Sequence, residues 1–338
     1  MKWSVLVGIV TSIVFGFILS YQIDVRQLVT ALQSTHSLLL VLAIGAFLGT
    51  LLLRAWRWQY LLEALKPIQT LPLFSVTAIG FMANMLLPAH AGEVVRAYLL
   101  GQKEQISTTA CFATIVVERL FDLVSVLLIL AVTLVWGQLP LAAGPVADSV
   151  RIGGYGAVVL CVAVAASLWL LRAQTARMTN VIRLCLRFLP ERWLARLTTF
   201  LHAFASGLEG LHKSRRLLLL LFQSLALWML MAGSDLLVLV AFGLHLPLSA
   251  AFFVLVLQVI GVMIPSSPGF IGTYHAAVVI GLAVFGVGRE LALSVALVMH
   301  AVFFFPSIVL GGIFLWQENL SLRNLWGLKA QDYTAHKG

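Results

Sequence analysis

Charge is what this sequence lacks. Of its 338 residues, 10% are charged and 61% hydrophobic, and the mean hydropathy is +1.01. Soluble domains carry about 25% charged residues, so a water-soluble globular fold is excluded at the outset. Cysteine is nearly absent. Cys111, Cys161 and Cys185 lie far apart with no CxxC, which argues against a disulfide framework or a thiolate metal cluster and leaves small apolar side chains. Strands of alternating polarity, the mark of an outer-membrane barrel, are missing too, because the apolar runs are continuous. No Walker loop, GxSxG elbow or dinucleotide fingerprint occurs, so ATP-driven transport by this chain alone is disfavoured. No cofactor is expected. No metal is expected either, since His90, His275, His300 and Asp235 show no HExxH or paired-ligand spacing.

Long apolar runs are what is there, and the fold class they give is an all-α polytopic membrane protein. Crossing a ~30 Å hydrocarbon core at ~1.5 Å per residue takes about 20 apolar residues. Six stretches meet this: 3–20, 37–58, 109–136, 153–172, 217–243 and 291–316. The first follows Lys2, but Phe17-Ile18-Leu19-Ser20-Tyr21 offers no small-x-small cleavage site, so a retained span is expected. Two further regions are interrupted, 71–100 at Pro88-Ala89-His90-Ala91-Gly92 and 249–287 at Pro265-Ser266-Ser267-Pro268-Gly269. Each predicts two helical pieces around a bend, which lipid tolerates only where protein or water satisfies the freed backbone. The expectation is one transmembrane domain over 1–338, with six spans and two broken re-entrant hairpins.

Charge placement orients this topology. Segment 172–216 holds nine Lys/Arg against Glu191 and Glu209, seven of the nine net positive charges, and belongs on the cytoplasmic side. Tracing outward puts both termini, Arg54 to Lys66 and the tail 321–338 on that side. The opposite loops balance Arg26 with Asp24, Arg151 with Asp148 and Arg289 with Glu290. This works only if each hairpin returns to the face it came from, the first cytoplasmic and the second external, a possible inverted repeat. Within the basic segment, Trp193, Leu197, Phe200, Phe204, Leu208 and Leu211 recur at helical spacing. Residues 192–211 therefore read as an amphipathic helix on anionic inner-leaflet lipid, at about 1 kcal/mol per arginine, or as an orientation signal and solvated linker. A nucleic-acid partner is not expected.

Polar side chains at bilayer depth mark function or internal pairing. The first bend brings Asn84, His90, Glu93 and Arg96. Arginine's fork and the free N–H groups of a helix starting at Gly92 suit phosphate; the alternative is a self-neutralising Glu93–Arg96 pair. Glu118, Arg119 and Asp122 follow, either as a proton relay or as a charge lock bracing the first hairpin. Asp235 lies deep in a span, where an arginine or histidine partner is the bland expectation. The second bend carries Gln258, Ser266, Ser267, Gly269, Gly272, Tyr274 and His275, suited to a headgroup or to helix packing. His300 reads as a core histidine. Arg54 and Arg57, with Trp56 and Trp58, read as an interfacial anchor.

The run Asn84-Met85-Leu86-Leu87-Pro88-Ala89-His90-Ala91-Gly92-Glu93-Val94-Val95-Arg96 resembles the N-x-x-L-P-x-x-x-G-E-x-x-R pattern of the lysylphosphatidylglycerol synthase transmembrane-region family of flippase-like membrane proteins. Arg54-Ala55-Trp56-Arg57-Trp58, Glu118-Arg119-x-x-Asp122 and Pro265-Ser266-Ser267-Pro268-Gly269-Phe270-Ile271-Gly272 agree with it. His90 stands where the family often has arginine, and His275 where it often has glutamate, so the charge at the expected site differs. The resemblance implies a lipid-translocating domain. Family members include the flippase half of the enzyme that makes aminoacylated phosphatidylglycerol. The aminoacyl-transferase domain of that enzyme is not found here, so lipid aminoacylation is not expected.

The resulting expectation is a bacterial inner-membrane flippase with no catalytic residues and no ATPase of its own, moving a phosphate-bearing phospholipid or polyisoprenyl-phosphate lipid. Its headgroup cavity would comprise Asn84, His90, Glu93, Arg96, Glu118, Arg119, Asp122, Asp235, Ser266, Ser267, Gly269, Tyr274 and His275. Two alternatives stay open. One is a membrane-embedded lipid-modifying enzyme; the other is an accessory partner of a lipid-linked glycosyltransferase or synthase.

Overall fold

A computed structural model describes residues 35–63, 65–87, 90–136, 139–140, 214–264 and 266–318, with isolated positions at 30, 33, 156 and 159. The spans expected over 3–20 and 153–172, the amphipathic segment 192–211, the tail 321–338 and Pro88, Ala89 and Pro265 lie outside the described residues.

The described residues form eight α-helices and no strand. They are α1 Ser37–Leu62, α2 Thr70–Leu86, α3 Ala91–Glu104, α4 Thr108–Trp136, α5 Ser214–Ala241, α6 Leu248–Met263, α7 Thr273–Ala283 and α8 Arg289–Gln317, with a 3-10 turn at Pro268–Phe270 before α7. The stretches Ser37–Leu62, Arg215–Ala241 and Arg289–Gln317 are long and apolar enough to cross a membrane. Large apolar side chains such as Leu38, Leu52, Leu218, Phe222, Val309 and Trp316 point outward, as expected of helices whose surroundings are apolar. α4 is as long as α8 but carries Glu118, Arg119 and Asp122 within its apolar run.

The order long, short, short, long occurs twice. α4 runs from 108 to 136 and α8 from 289 to 317, a shift of 181 at both ends. The same shift carries α1, α2 and α3 onto α5, α6 and α7 to within four residues at every boundary. The second unit is inverted against the first, because α1 and α5 pack antiparallel. The His36 N–H donates to the Ala241 carbonyl at 3.1 Å at one end, and Ser234 Oγ donates to the Ala43 carbonyl at 2.9 Å further along. At the other end Arg216 Nη2 lies 3.6 Å from Glu63 Oε2.

Each interrupted region is a helical hairpin closed by small residues. In α2–α3, a Cβ on Gly92 would overlap the Gly80 carbonyl oxygen and stand 2.6 Å from Asn84 Oδ1. In α6–α7, a Cβ on Gly261 would stand 2.8 Å from the Thr273 carbonyl oxygen. Such close backbone approach is what small residues allow. The open end of the first hairpin lies beside the C-terminus of α1, where Lys66 Nζ meets Glu104 Oε2 at 2.7 Å. The second opens at the other end, following Ala241. Their tips meet between: the His90 and Phe270 rings stack at 5.3 Å, both residues holding left-handed backbone, φ 51° and 59°.

α8 passes both hairpins. Its first half packs on α7, and its second half packs antiparallel on α2, where Phe314 meets Phe74 edge to face at 5.6 Å and Gly311 abuts Ala78 and Met82. Pro306 lies inside the helix between these two contact regions.

Candidate functional site

Two groups of buried polar side chains stand out, the first built mainly from the first unit and the second from α5–α8. In the first, α1, α3, α4 and α5 converge. Arg57 Nη1 donates to Asp122 Oδ1 and to Ser224 Oγ, each at 2.6 Å, and its Nε lies 3.6 Å from Glu118 Oε1. Arg54 Nη1 reaches Asp122 Oδ2 at 3.3 Å, and Trp228 Nε1 donates to Asp122 Oδ1 at 3.2 Å. Arg96 Nη1 donates to Glu118 Oε2 at 2.7 Å. Its guanidinium lies 3.9 Å over the Trp58 ring, and Trp58 Nε1 in turn donates to Thr114 Oγ1 at 2.9 Å. Arg119 joins Asp122 at 3.3 Å and Glu93 at 3.2 Å.

Four arginines therefore face three carboxylates, leaving one net positive charge within the group. Arg96 is 2% exposed, and its Nε and Nη2 have no hydrogen-bond partner. A buried guanidinium keeping two donors beside a net positive charge is disposed toward an oxyanion. The Glu93–Arg119 pair is the partly open edge of the group, with side-chain exposures of 26% and 35%. At the hairpin tip, Asn84 Oδ1 accepts the Gly92 N–H at 2.7 Å, satisfying one of the orphan donors at the start of α3.

Two expectations are corrected here. Arg54, Arg57 and Trp58 form no interfacial anchor: they are 4%, 1% and 0% exposed, and only Trp56 faces outward. The end of α1 is wrapped by α4 and α5, whose Asp122 and Ser224 receive the guanidinium groups. Glu93 and Arg96 likewise do not neutralise each other. Both reach across to α4, Glu93 to Arg119 and Arg96 to Glu118, because a charged partner on a packed neighbour satisfies them without bending back along their own helix. The arrangement around Glu118 and Asp122 is a cross-helix lock binding α1, α3 and α4.

The second group lies in α5–α8. Asp235 is 7% exposed. Gln258 Nε2 donates to its Oδ1 at 3.3 Å and approaches Met299 Sδ at 3.4 Å, while Oδ2 has no partner. The arginine or histidine expected beside Asp235 is replaced by Gln258. The His275 and His300 rings meet edge to face at 4.8 Å, and Tyr274 packs on His300 at 5.1 Å and on Phe303 at 6.1 Å. His300 Nε2 lies 2.8 Å from the Gly269 carbonyl; a carbonyl only accepts, so this nitrogen carries the hydrogen. His275 Nδ1 accepts the Gly272 N–H at 3.3 Å. Ser266 Oγ is buried without a partner, and Gly269 turns the chain at φ 77°.

Of the residues singled out in the sequence, Asn84, Glu93, Arg96, Glu118, Arg119 and Asp122 come together in the first unit. Asp235, Tyr274 and His275 belong to the second. His90 and the 266–269 turn occupy the junction of the tips. Sequence reasoning missed Arg54 and Arg57 as members, along with Ser224, Trp228 and Met299. The available signal was Arg57 falling inside the apolar run 37–58 rather than beyond it.

Residues 5–311 match the family described as Lysylphosphatidylglycerol synthase TM region. Glycosyltransferase AglD of Haloferax volcanii is 27% identical over 94% of this chain and 55% of its own length, so the chain spans about half of that relative. Two UPF0104 membrane proteins of Methanothermobacter thermautotrophicus are 26% and 24% identical, over 85% and 83% of this chain and 86% of each relative. No solved structure matches.

Proposed function

The chain belongs to the lysylphosphatidylglycerol synthase transmembrane-region family, and on that premise we propose that it moves an anionic, phosphate-bearing lipid between the leaflets of a bacterial inner membrane. In this reading the headgroup crosses through the protein while the chains stay in lipid, removing the main barrier of desolvating a charge in hydrocarbon. The observation that carries it is Arg96, buried in a group with one net positive charge and with its Nε and Nη2 unpartnered, on one of two oppositely directed hairpins. The finer topology belongs to the same proposal: six spans, hairpins re-entrant from opposite faces and both termini cytoplasmic. The phosphate would meet Arg96, with the half-open Glu93–Arg119 edge as its way in.

The test is leaflet-resolved translocation in proteoliposomes of phosphatidylglycerol, aminoacylated phosphatidylglycerol and a polyprenyl-phosphate sugar. Wild type is expected to move one of them with its mass unchanged, and folded Arg96→Ala to lose that movement. Failure of well-folded wild type to move any of the three overturns the proposal for these lipid classes.

The relative named Glycosyltransferase AglD, matched over 94% of this chain, favours one second reading: a membrane partner of a glycosyltransferase, docked through 192–211. Deleting 192–211 should then abolish co-purification of that enzyme and leave lipid movement untouched.

A further inference from the structure

Asp235 is the buried carboxylate that the arginine groups leave alone. No lysine or arginine makes an ion pair with it among the described residues; its one hydrogen bond comes from Gln258, at 3.3 Å, and its Oδ2 has none. The charged side chains of α1 that point into the bundle, Arg54 and Arg57, are held by Asp122 and Glu118. α6 contributes the neutral Gln258. α7 contributes Tyr274 and His275, and α8 contributes His300. His275 Nε2 is buried and likewise without a partner. An uncompensated carboxylate in an apolar interior costs several kcal/mol, so it does not persist there empty-handed.

The repeat sharpens this. α4 and α8, whose ends match at a shift of 181, place His300 where the first unit has Arg119. Where α4 presents a guanidinium group, α8 presents an imidazole at the corresponding place. The two halves share a scaffold and differ in the sign of what they offer.

We propose that Asp235, with Gln258 fixing its Oδ1 and Oδ2 left open, is a binding site for a small monovalent cation, H+ or Na+. The cation neutralises the carboxylate in the second unit. His275 and His300 stand between this unit's interior and the meeting point of the tips, on the side from which the cation would exchange. Use of the site to drive lipid movement rests on the translocation reading above; occupancy of the site does not.

The experiment uses the full chain in lipid nanodiscs. Infrared difference spectra are recorded between low and high pH in Na+-free buffer, and between Na+ and K+ at fixed pH. A carboxylic-acid band that disappears on raising the pH and is missing from Asp235→Asn establishes the site. If Na+ also removes the band and shifts its pH midpoint, Na+ competes for it; if Na+ has no effect, the occupant is the proton. Gln258→Leu keeps the carboxylate but removes its hydrogen bond, and should move the midpoint to higher pH. Absence of the band and of any Na+ effect in wild type, or spectra identical in wild type and Asp235→Asn, overturns the proposal. Proteoliposome transport by wild type separates the two readings. An infrared signal with no lipid movement sinks the lipid reading alone, and lipid movement with no signal sinks the cation site alone.

Discussion

At the scale of single residues, Asp122 holds most together. It receives Arg54, Arg57, Arg119 and the Trp228 indole, so Asp122→Ala strands the buried Arg54 and leaves the buried Arg57 only its Ser224 and Glu118 contacts. Breaking a buried pair by removing one partner costs about 3–5 kcal/mol, and thermal unfolding in detergent should fall accordingly. Lys66→Ala removes an ion pair whose lysine is 43% exposed, and should shift stability by about 1 kcal/mol or less. Arg96→Lys keeps the charge and loses the planar fork. It should slow lipid translocation in proteoliposomes while unfolding changes far less than in Asp122→Ala. The carboxylates were legible in the sequence, since Glu118 and Asp122 are four apart and share a helical face. Their partners were not. Arg54 and Arg57 stand near the end of an apolar run, where arginine ordinarily reaches water, and nothing in α1 itself says that α4 and α5 extend far enough to enclose them.

Helices and hairpins were read more faithfully from sequence than side-chain partners. The apolar runs 37–58, 109–136, 217–243 and 291–316 became α1, α4, α5 and α8, with ends within four residues of those read. The proline-glycine interruptions became hairpin tips, because a break in backbone hydrogen bonding is a local property that the residue types dictate. What locality could not supply was the packing inside each hairpin. Gly92 is required by the Gly80 carbonyl lying twelve residues earlier on the facing helix. Gly92→Ala forces those backbones apart and should cost about 1–3 kcal/mol, with loss of the hairpin's protection in hydrogen exchange. Gly45→Ala, which meets nothing within 4 Å, should be neutral or slightly stabilising in the same measurements.

For the whole molecule, the inverted repeat was only a possibility in the sequence, since corresponding positions such as Arg119 and His300 carry different chemistry and register emerges only from helix boundaries. The hairpin tips of the two units meet at the stacked His90 and Phe270. If passage of a headgroup requires the tips to part, a disulfide between His90→Cys and Phe270→Cys, in a background with Cys111, Cys161 and Cys185 replaced, should stop translocation, and reduction should restore it. Undiminished transport with the bond quantitatively formed would show that the lipid passes elsewhere.

Pro306 gives this mechanical form. It lacks the N–H that would otherwise bond the Val302 carbonyl, so α8 can flex there without breaking a hydrogen bond. The helix is then two arms of unequal length joined at a hinge, with one hairpin resting on each. At ~1.5 Å per residue the arms are about 25 Å and 16 Å long, so a tilt of roughly 10° would sweep their ends through about 4 Å and 3 Å. A bend at Pro306 would let either hairpin shift by these few ångströms while the other stays in place.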